Sequence, residues 1–185
     1  KVTGDFNCYS SVLTTLEGGP KYVGGNFDCS KNKLTDLKGS PLGVGGSFTC
    51  YQNNITSLEG GPKWVGRDFN CQENKLISLE GSPKEVGRDF NCQENKLTSL
   101  ADGPENIENN LYCANNNIYN LKGLETKIKQ YLTLDYNPIG ILFGDLEGDI
   151  INSFISFKVI NGRELNIKRL KYFLHTFGLD TSIHY

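Results

Sequence analysis

Apolar positions along this chain recur with a fixed step of 21 residues rather than with the period of one helix or one strand. Phe6, Phe27, Phe48, Phe69, Phe90 and Leu111 form one column, and two residues later stand Cys8, Cys29, Cys50, Cys71, Cys92 and Cys113. Five residues beyond each cysteine is Leu13, Leu34, Ile55, Leu76, Leu97 or Ile118, and three beyond that Leu16, Leu37, Leu58, Leu79, Leu100 or Leu121. Each unit closes on a branched residue, Val23, Val44, Val65, Val86, Ile107 or Ile128, and all but the last are preceded by Pro20, Pro41, Pro62, Pro83 or Pro104. A further unit opens in register with Leu132, Leu134, Asn137, Ile139 and Leu142, where Leu134 takes the cysteine place, and the first is incomplete, beginning at Val2.

Phe and Cys at alternate positions point to the same side of one short strand. The polar column three places after the cysteine begins with Ser11 and continues as Asn32, Asn53, Asn74, Asn95 and Asn116. Asn there can bond backbone groups of a turn that no ladder satisfies. A unit with about five apolar residues cannot bury itself, so the core becomes continuous only by stacking. The spacing therefore predicts one parallel β-ladder of about seven strands, roughly 30 Å long at 4.8 Å per strand. Its return segments should be extended or 3₁₀, because 21 residues leave no room for a long helix.

After residue 142 the period fails. Leu146, Ile150, Phe154 with Ile151 and Ile155 form one helical stripe; Ile167, Leu170, Leu174 and Phe177, flanked by Phe173, form another. The Asn161-Gly162 pair breaks between them. Two segments are thus expected, a solenoid over 1–142 and a helical C-terminal cap over 143–185 covering the last turn of core. No equivalent cap precedes Val2, which leaves self-association through that edge as one expectation and a missing leader or further residues as the other.

The pattern F-x-C-x-x-N-x-L-x-x-L-x-G-x-P-x-x-V-G resembles the leucine-rich repeat, most closely the short, proline-bearing bacterial type found in secreted effectors and in small proteins of tailed phages. It covers residues 2 to about 142. The resemblance implies a leucine-rich-repeat solenoid, mostly β within the α/β class, that recognises a protein through its concave strand face. For the phage-like relatives it implies interference with a host defence or regulatory protein. The chain lacks the ligase domain of the secreted effectors, so the enzymatic part of that analogy has no counterpart here.

Composition narrows the partners. The formal net charge is −2, which supplies no basic field for nucleic acid, and no apolar run reaches the roughly 20 residues of a bilayer span. The cysteine spacing matches no metal-ligand motif and each cysteine replaces a leucine-type core position. An inert buried column is expected, against a metal or redox stack. So many unpaired thiols favour a reducing, cytoplasmic compartment, including the host cytoplasm of an infecting phage. The Asn54-Ile55-Thr56 sequon argues weakly for secretion, which stays open. His175 and His184 have no acid or nucleophile at motif spacing, and Gly43-Val44-Gly45 continues into Phe48, where a dinucleotide loop would need glycine. No catalytic residue, cofactor or metal is assigned.

Recognition is expected between the core positions. The outward residues run Asp5, Asn7, Tyr9; Asn26, Asp28, Ser30; Ser47, Thr49, Tyr51; then Asp68, Asn70, Gln72 with Glu73. The ten residues from Arg67 to Leu76 repeat identically from Arg88 to Leu97, so Asp89, Gln93 and Glu94 stack on Asp68, Gln72 and Glu73, with Arg67 and Arg88 as counter-charges. The face then turns aromatic at Tyr112, Asn115, Tyr131, Asp135 and Tyr136. Tyrosine, acid and amide together suit a protein partner with a basic or polar surface. For the acidic columns a solvated face and a divalent cation remain the other readings. Lys21, Lys63 and Lys84, near Glu17, Glu59 and Glu80, read as a mixed, solubilising outer ridge. The function expected is binding without turnover; the alternatives are a surface-exposed structural or adhesive module and a small-ligand sponge.

Overall fold

The computed structural model of the chain describes residues 1–119, 122–123, 126–129, 132–138, 160–161 and 164–165. Fifteen two-residue strands follow one another: β1 (Phe6–Asn7), β2 (Tyr22–Val23), β3 (Phe27–Asp28), β4 (Gly43–Val44) and β5 (Phe48–Thr49). The order continues with β6 (Trp64–Val65), β7 (Phe69–Asn70), β8 (Glu85–Val86), β9 (Phe90–Asn91) and β10 (Asn106–Ile107). It ends with β11 (Leu111–Tyr112), β12 (Lys127–Ile128), β13 (Leu132–Thr133), β14 (Ile160–Asn161) and β15 (Glu164–Leu165).

The odd-numbered strands from β1 to β13 form a seven-stranded parallel sheet, and the even-numbered strands from β2 to β12 form a six-stranded one. Register advances by 21 residues at every pairing, as in Phe6↔Phe27 and Val23↔Val44. The chain is therefore a parallel β-solenoid of about six turns, all-β over the solenoid. The second sheet is a finding beyond the sequence reading, which expects one ladder and an irregular return. The return is extended, as expected, and it pairs rung to rung. No 3₁₀ turn occurs among the described residues. Ile160–Asn161 and Glu164–Leu165 pair antiparallel around the Asn161-Gly162 break; the helical stripes expected over 146–155 and 167–177 lie outside the described residues.

Five columns fill the interior. Phe27, Phe48, Phe69 and Phe90 are all but fully buried, and the Phe6 to Phe90 rings stack with centroids 5.1–5.5 Å apart and planes within 6–9° of parallel. One rung of about 4.8 Å is close to the spacing of offset aromatic stacks, so rung pairing and ring packing reinforce each other. The cysteine column, the two leucine columns and the valine column complete the core. Where the second sheet turns into the first, Gly24, Gly45, Gly66 and Gly87 give way to Glu108 and Lys129. In the glycine turns the backbones approach closely, so that a Cβ on Gly66 would lie 2.2 Å from the Gly45 carbonyl oxygen, and one on Gly45 would lie 2.3 Å from that of Gly24.

The asparagine column is a buried ladder. Asn74 Nδ2 donates to the carbonyls of Cys50, Cys71 and Gln72 at 3.0–3.1 Å, while its Oδ1 accepts from the Ile55 amide at 3.0 Å. Asn32, Asn53, Asn95, Asn116 and Asn137 repeat the arrangement. Each asparagine serves the rung before it, which explains why the first unit works with Ser11: Asn32 Oδ1 accepts from both the Ser11 and Leu13 amides.

Candidate binding face

The first sheet presents three outward columns and, beyond them, a turn. The outermost column on the N-terminal side holds Asp5, Asn26, Ser47, Asp68, Asp89 and Asn110, and its side chains bond to the frame. Asp5 Oδ1 accepts the Asn26 amide at 2.6 Å, Asn26 Oδ1 the Ser47 amide at 2.9 Å, and Asp68 Oδ1 the Asp89 amide at 3.3 Å. The stacked carboxylates Asp68 and Asp89, expected to repel, thus each face donors. Ser47 Oγ donates to Asp68 at 3.0 Å, Arg88 Nε lies 3.7 Å from Asp68, and Asn110 Nδ2 donates to Asp89 at 2.9 Å. Both acids are half-buried, so part of their capacity for a partner is already engaged.

In the next column Asn7, Asp28, Asn70 and Asn91 accept the amide two residues on, which fixes the bend after the strand. Tyr112 occupies the same column without that role and is half-buried. The third column holds Gln72 and Gln93, half-buried; Asn91 Nδ2 donates to Gln72 Oε1 at 2.8 Å. In this column Asp135 is exposed.

At the turn, Ser10, Lys31, Gln52, Glu73, Glu94, Asn115 and Tyr136 all adopt left-handed backbone, with φ between 52° and 56°. L-residues other than Asn and Gly visit this region reluctantly, yet the rung geometry imposes it seven times. It projects these side chains outward in a row. Glu94, Asn115 and Tyr136 are exposed, Tyr136 at 84%. Glu73 is half-buried and accepts a bond from Gln52 Nε2 at 2.5 Å. Of the residues expected to bind, the structure therefore gathers Glu73, Glu94, Asn115, Asp135 and Tyr136 on one edge, with Gln72, Gln93 and Tyr112 beside it. Tyr131 lies outside the described residues.

Two clusters were not singled out from sequence. Lys31 Nζ sits 5.4 Å from the Tyr9 ring and 6.0 Å from the Tyr51 ring. Hydrogen bonds from Lys31 and Tyr51 lower the Tyr9 phenol pKa, whereas burial and then Tyr9 itself raise that of Tyr51. Ser30 lies one rung from each tyrosine, its Oγ buried with no hydrogen-bond partner. On the second sheet, Tyr22, Leu42 and Trp64 are exposed at 44–45%. The available signal was an alternation by two units, Tyr-Ser-Tyr and Tyr-Gly-Trp, which reading one unit at a time hides.

The thiols face inward. Cys29, Cys50, Cys71, Cys92 and Cys113 are fully buried and unpaired, and burial pushes their pKa values far above the ordinary thiol range. Several donate weak bonds to the next strand, such as Cys71 Sγ to the Asn91 carbonyl at 3.3 Å. Cys8, at the first rung, departs from the expected buried column: it is only half-buried, because no turn of core covers its outer side. Among the described residues no three His, Cys, Asp or Glu side chains are grouped to hold a metal, and no helix is long and apolar enough to cross a membrane. Comparison of the chain with protein-family models, curated proteins and solved structures gives no match.

Proposed function

We propose that this protein is a binding solenoid of the leucine-rich-repeat type that holds a partner protein against the outer side of its first sheet, acting by occupation rather than turnover. The observation that carries this reading is the exposed left-handed edge. A rigid ladder fixes the spacing of Glu73, Glu94, Asn115 and Tyr136, so that two like acids give way to an amide and then an aromatic ring while the frame beneath them repeats. Preorganisation of that kind lowers the ordering cost of association. Tyr136 and Tyr112 offer large, stiff apolar area with a polar tip and serve as anchors. The acids Glu73 and Glu94, with the residual charge of Asp68 and Asp89, attract a basic or polar surface over longer range. The narrower reading, a phage-encoded inhibitor of a host defence or regulatory protein working in the host cytoplasm, rests on the sequence resemblance.

The test is capture of partners from a bacterial host lysate with mass spectrometry, followed by affinity measurement on the purified pair. Tyr112→Ala and Tyr136→Ala should each cost about 1–3 kcal/mol, mainly through faster dissociation. Charge removal at Glu73 and Glu94 should slow association and flatten its salt dependence. Unchanged affinity in both tyrosine variants, with loss on changing Lys84 and Glu85 of the second sheet, would move the site to the other face. An adhesive surface module is the second reading, and the aromatic patch on that other face favours it.

A further inference from the structure

The first three rungs differ from the rest in a way that neither the core nor the first-sheet edge requires. Rungs one and three are alike and rung two is not: Lys21, Leu42, Lys63 and Tyr22, Gly43, Trp64 alternate on the second sheet. Rungs four and five, by contrast, carry charged or amide residues there, Lys84-Glu85 and Glu105-Asn106. Tyr22, Gly43 and Trp64 are direct partners across the ladder, so like side chains recur every two rungs, about 9.6 Å.

The middle position is built around the indole. A Cβ on Gly43 would lie 2.4–2.6 Å from Cε2, Cζ2 and Nε1 of Trp64, three atoms at nearly one distance, which places the ring face down on the Gly43 backbone. Gly43 is buried beneath it while Trp64 itself stays 44% exposed. The outer ring face is a platform. Tyr22 and Leu42, each 45% exposed, extend it. Beside the platform stand the exposed ammonium groups of Lys21 and Lys63, which have no carboxylate partner among the described residues, unlike Lys84, which pairs with Glu105 at 2.7 Å.

An occupant must then be extended, offer flat apolar faces and carry an anion at every second unit. We propose that this face binds an extended β-linked polysaccharide bearing an acid on alternate sugars, with sugar faces laid on the platform that the Trp64 indole makes over Gly43 and that Tyr22 extends, and with carboxylates two rungs apart set against Lys21 and Lys63. One pyranose in such a chain is about as long as one rung, and its alternate rings turn over, so equivalent faces and acids recur every two rungs. A polyproline helix has a similar pitch, about 9.3 Å for three residues, but it docks in grooves between raised aromatic rings, and here the indole lies flat. Glu17 and Glu59 precede the Gly18 and Gly60 turns, and their repulsion of an acidic chain is what the lysines must outweigh. This proposal is independent of the protein-binding reading, which uses the other sheet.

Trp64 is the sole tryptophan, so its emission reports the site directly. The full chain is titrated with hyaluronan oligosaccharides, with neutral chitin oligosaccharides of equal length, and with an acidic proline-rich peptide. Hyaluronan should shift the emission at sub-millimolar concentration, and Tyr22→Ala should weaken binding about tenfold with Tyr9→Ala without effect. Joint Lys21→Gln and Lys63→Gln should erase the preference over chitin. Gly43→Ala, which lifts the indole from its seat at an outward position, should weaken binding and leave the melting temperature near that of the parent. No emission change with hyaluronan, equal or tighter binding of chitin, or tighter binding of the peptide would overturn the proposal.

Discussion

At the scale of single residues, the asparagine column divides what the sequence discloses from what it conceals. Its role as a backbone partner was legible, because one polar residue recurring inside an apolar frame must bond to something. Its direction was not: nothing in the sequence says that Asn74 serves the rung before it. Asn74→Ala would strand the Ile55 amide and take one donor from the Cys50, Cys71 and Gln72 carbonyls, which keep Asn53 Nδ2, Asn95 Nδ2 and the Gln52 amide; an unsatisfied buried group costs about 1–3 kcal/mol. Urea denaturation should therefore show a loss of about 1–3 kcal/mol, with the exposed neighbour Lys75→Ala near neutral. The left-handed column was illegible for the opposite reason. Lys31, Gln52, Glu73 and Glu94 are residue types that do not announce that conformation, and only the closing geometry of the rung places them there. Among the thiols, Cys8 should react with an aromatic disulfide reagent well before the other five, all six becoming titratable on unfolding without reductant. Fewer than six would mean an oxidised or metal-bound column.

At the scale of the element, the first sheet was readable and the second was not. Each Phe of β3, β5, β7 and β9 is followed by an inward Cys just past the strand, giving two inward positions per rung, whereas the second sheet contributes one, as Val23 does in β2 and Val65 in β6. One apolar residue beside a variable neighbour has no period to detect. The glycines between the sheets carry the missing information, since they mark where successive rungs approach backbone to backbone. Gly66→Ala should therefore cost about 2–4 kcal/mol, because its Cβ would meet a carbonyl oxygen at 2.2 Å. Gly24→Ala, one rung from the open end and facing Thr3 at a similar distance, should cost less, since the terminal rung can give way. Equal losses in thermal or urea denaturation would show that the end rung is as rigid as the middle.

At the scale of the whole molecule, stability is a sum over neighbouring rungs, and the cysteine column ties that sum to pH. The five buried thiols titrate far above their ordinary value in the folded protein, burial being the largest cause, while in the unfolded chain they return to about 8.5. A raised folded pKa means that the folded state keeps protons the unfolded chain releases. The contribution is therefore complete below about pH 8.5 and is lost as pH climbs from there toward the folded values. Each such thiol adds a slope of about 1.4 kcal/mol per pH unit, so five acting together approach about 7 kcal/mol per pH unit at the steepest. Alkaline unfolding should accordingly be abrupt, beginning above about pH 9. The attribution to thiols is testable by subtraction. Cys71→Val should flatten the alkaline limb by about one proton and Cys71→Val with Cys92→Val by about two, measured as the change in unfolding free energy between pH 8 and pH 10. An alkaline limb of unchanged slope in the double variant would assign the protons to the tyrosines and lysines of the surface, and would mean that the thiol column packs the solenoid without governing its response to pH.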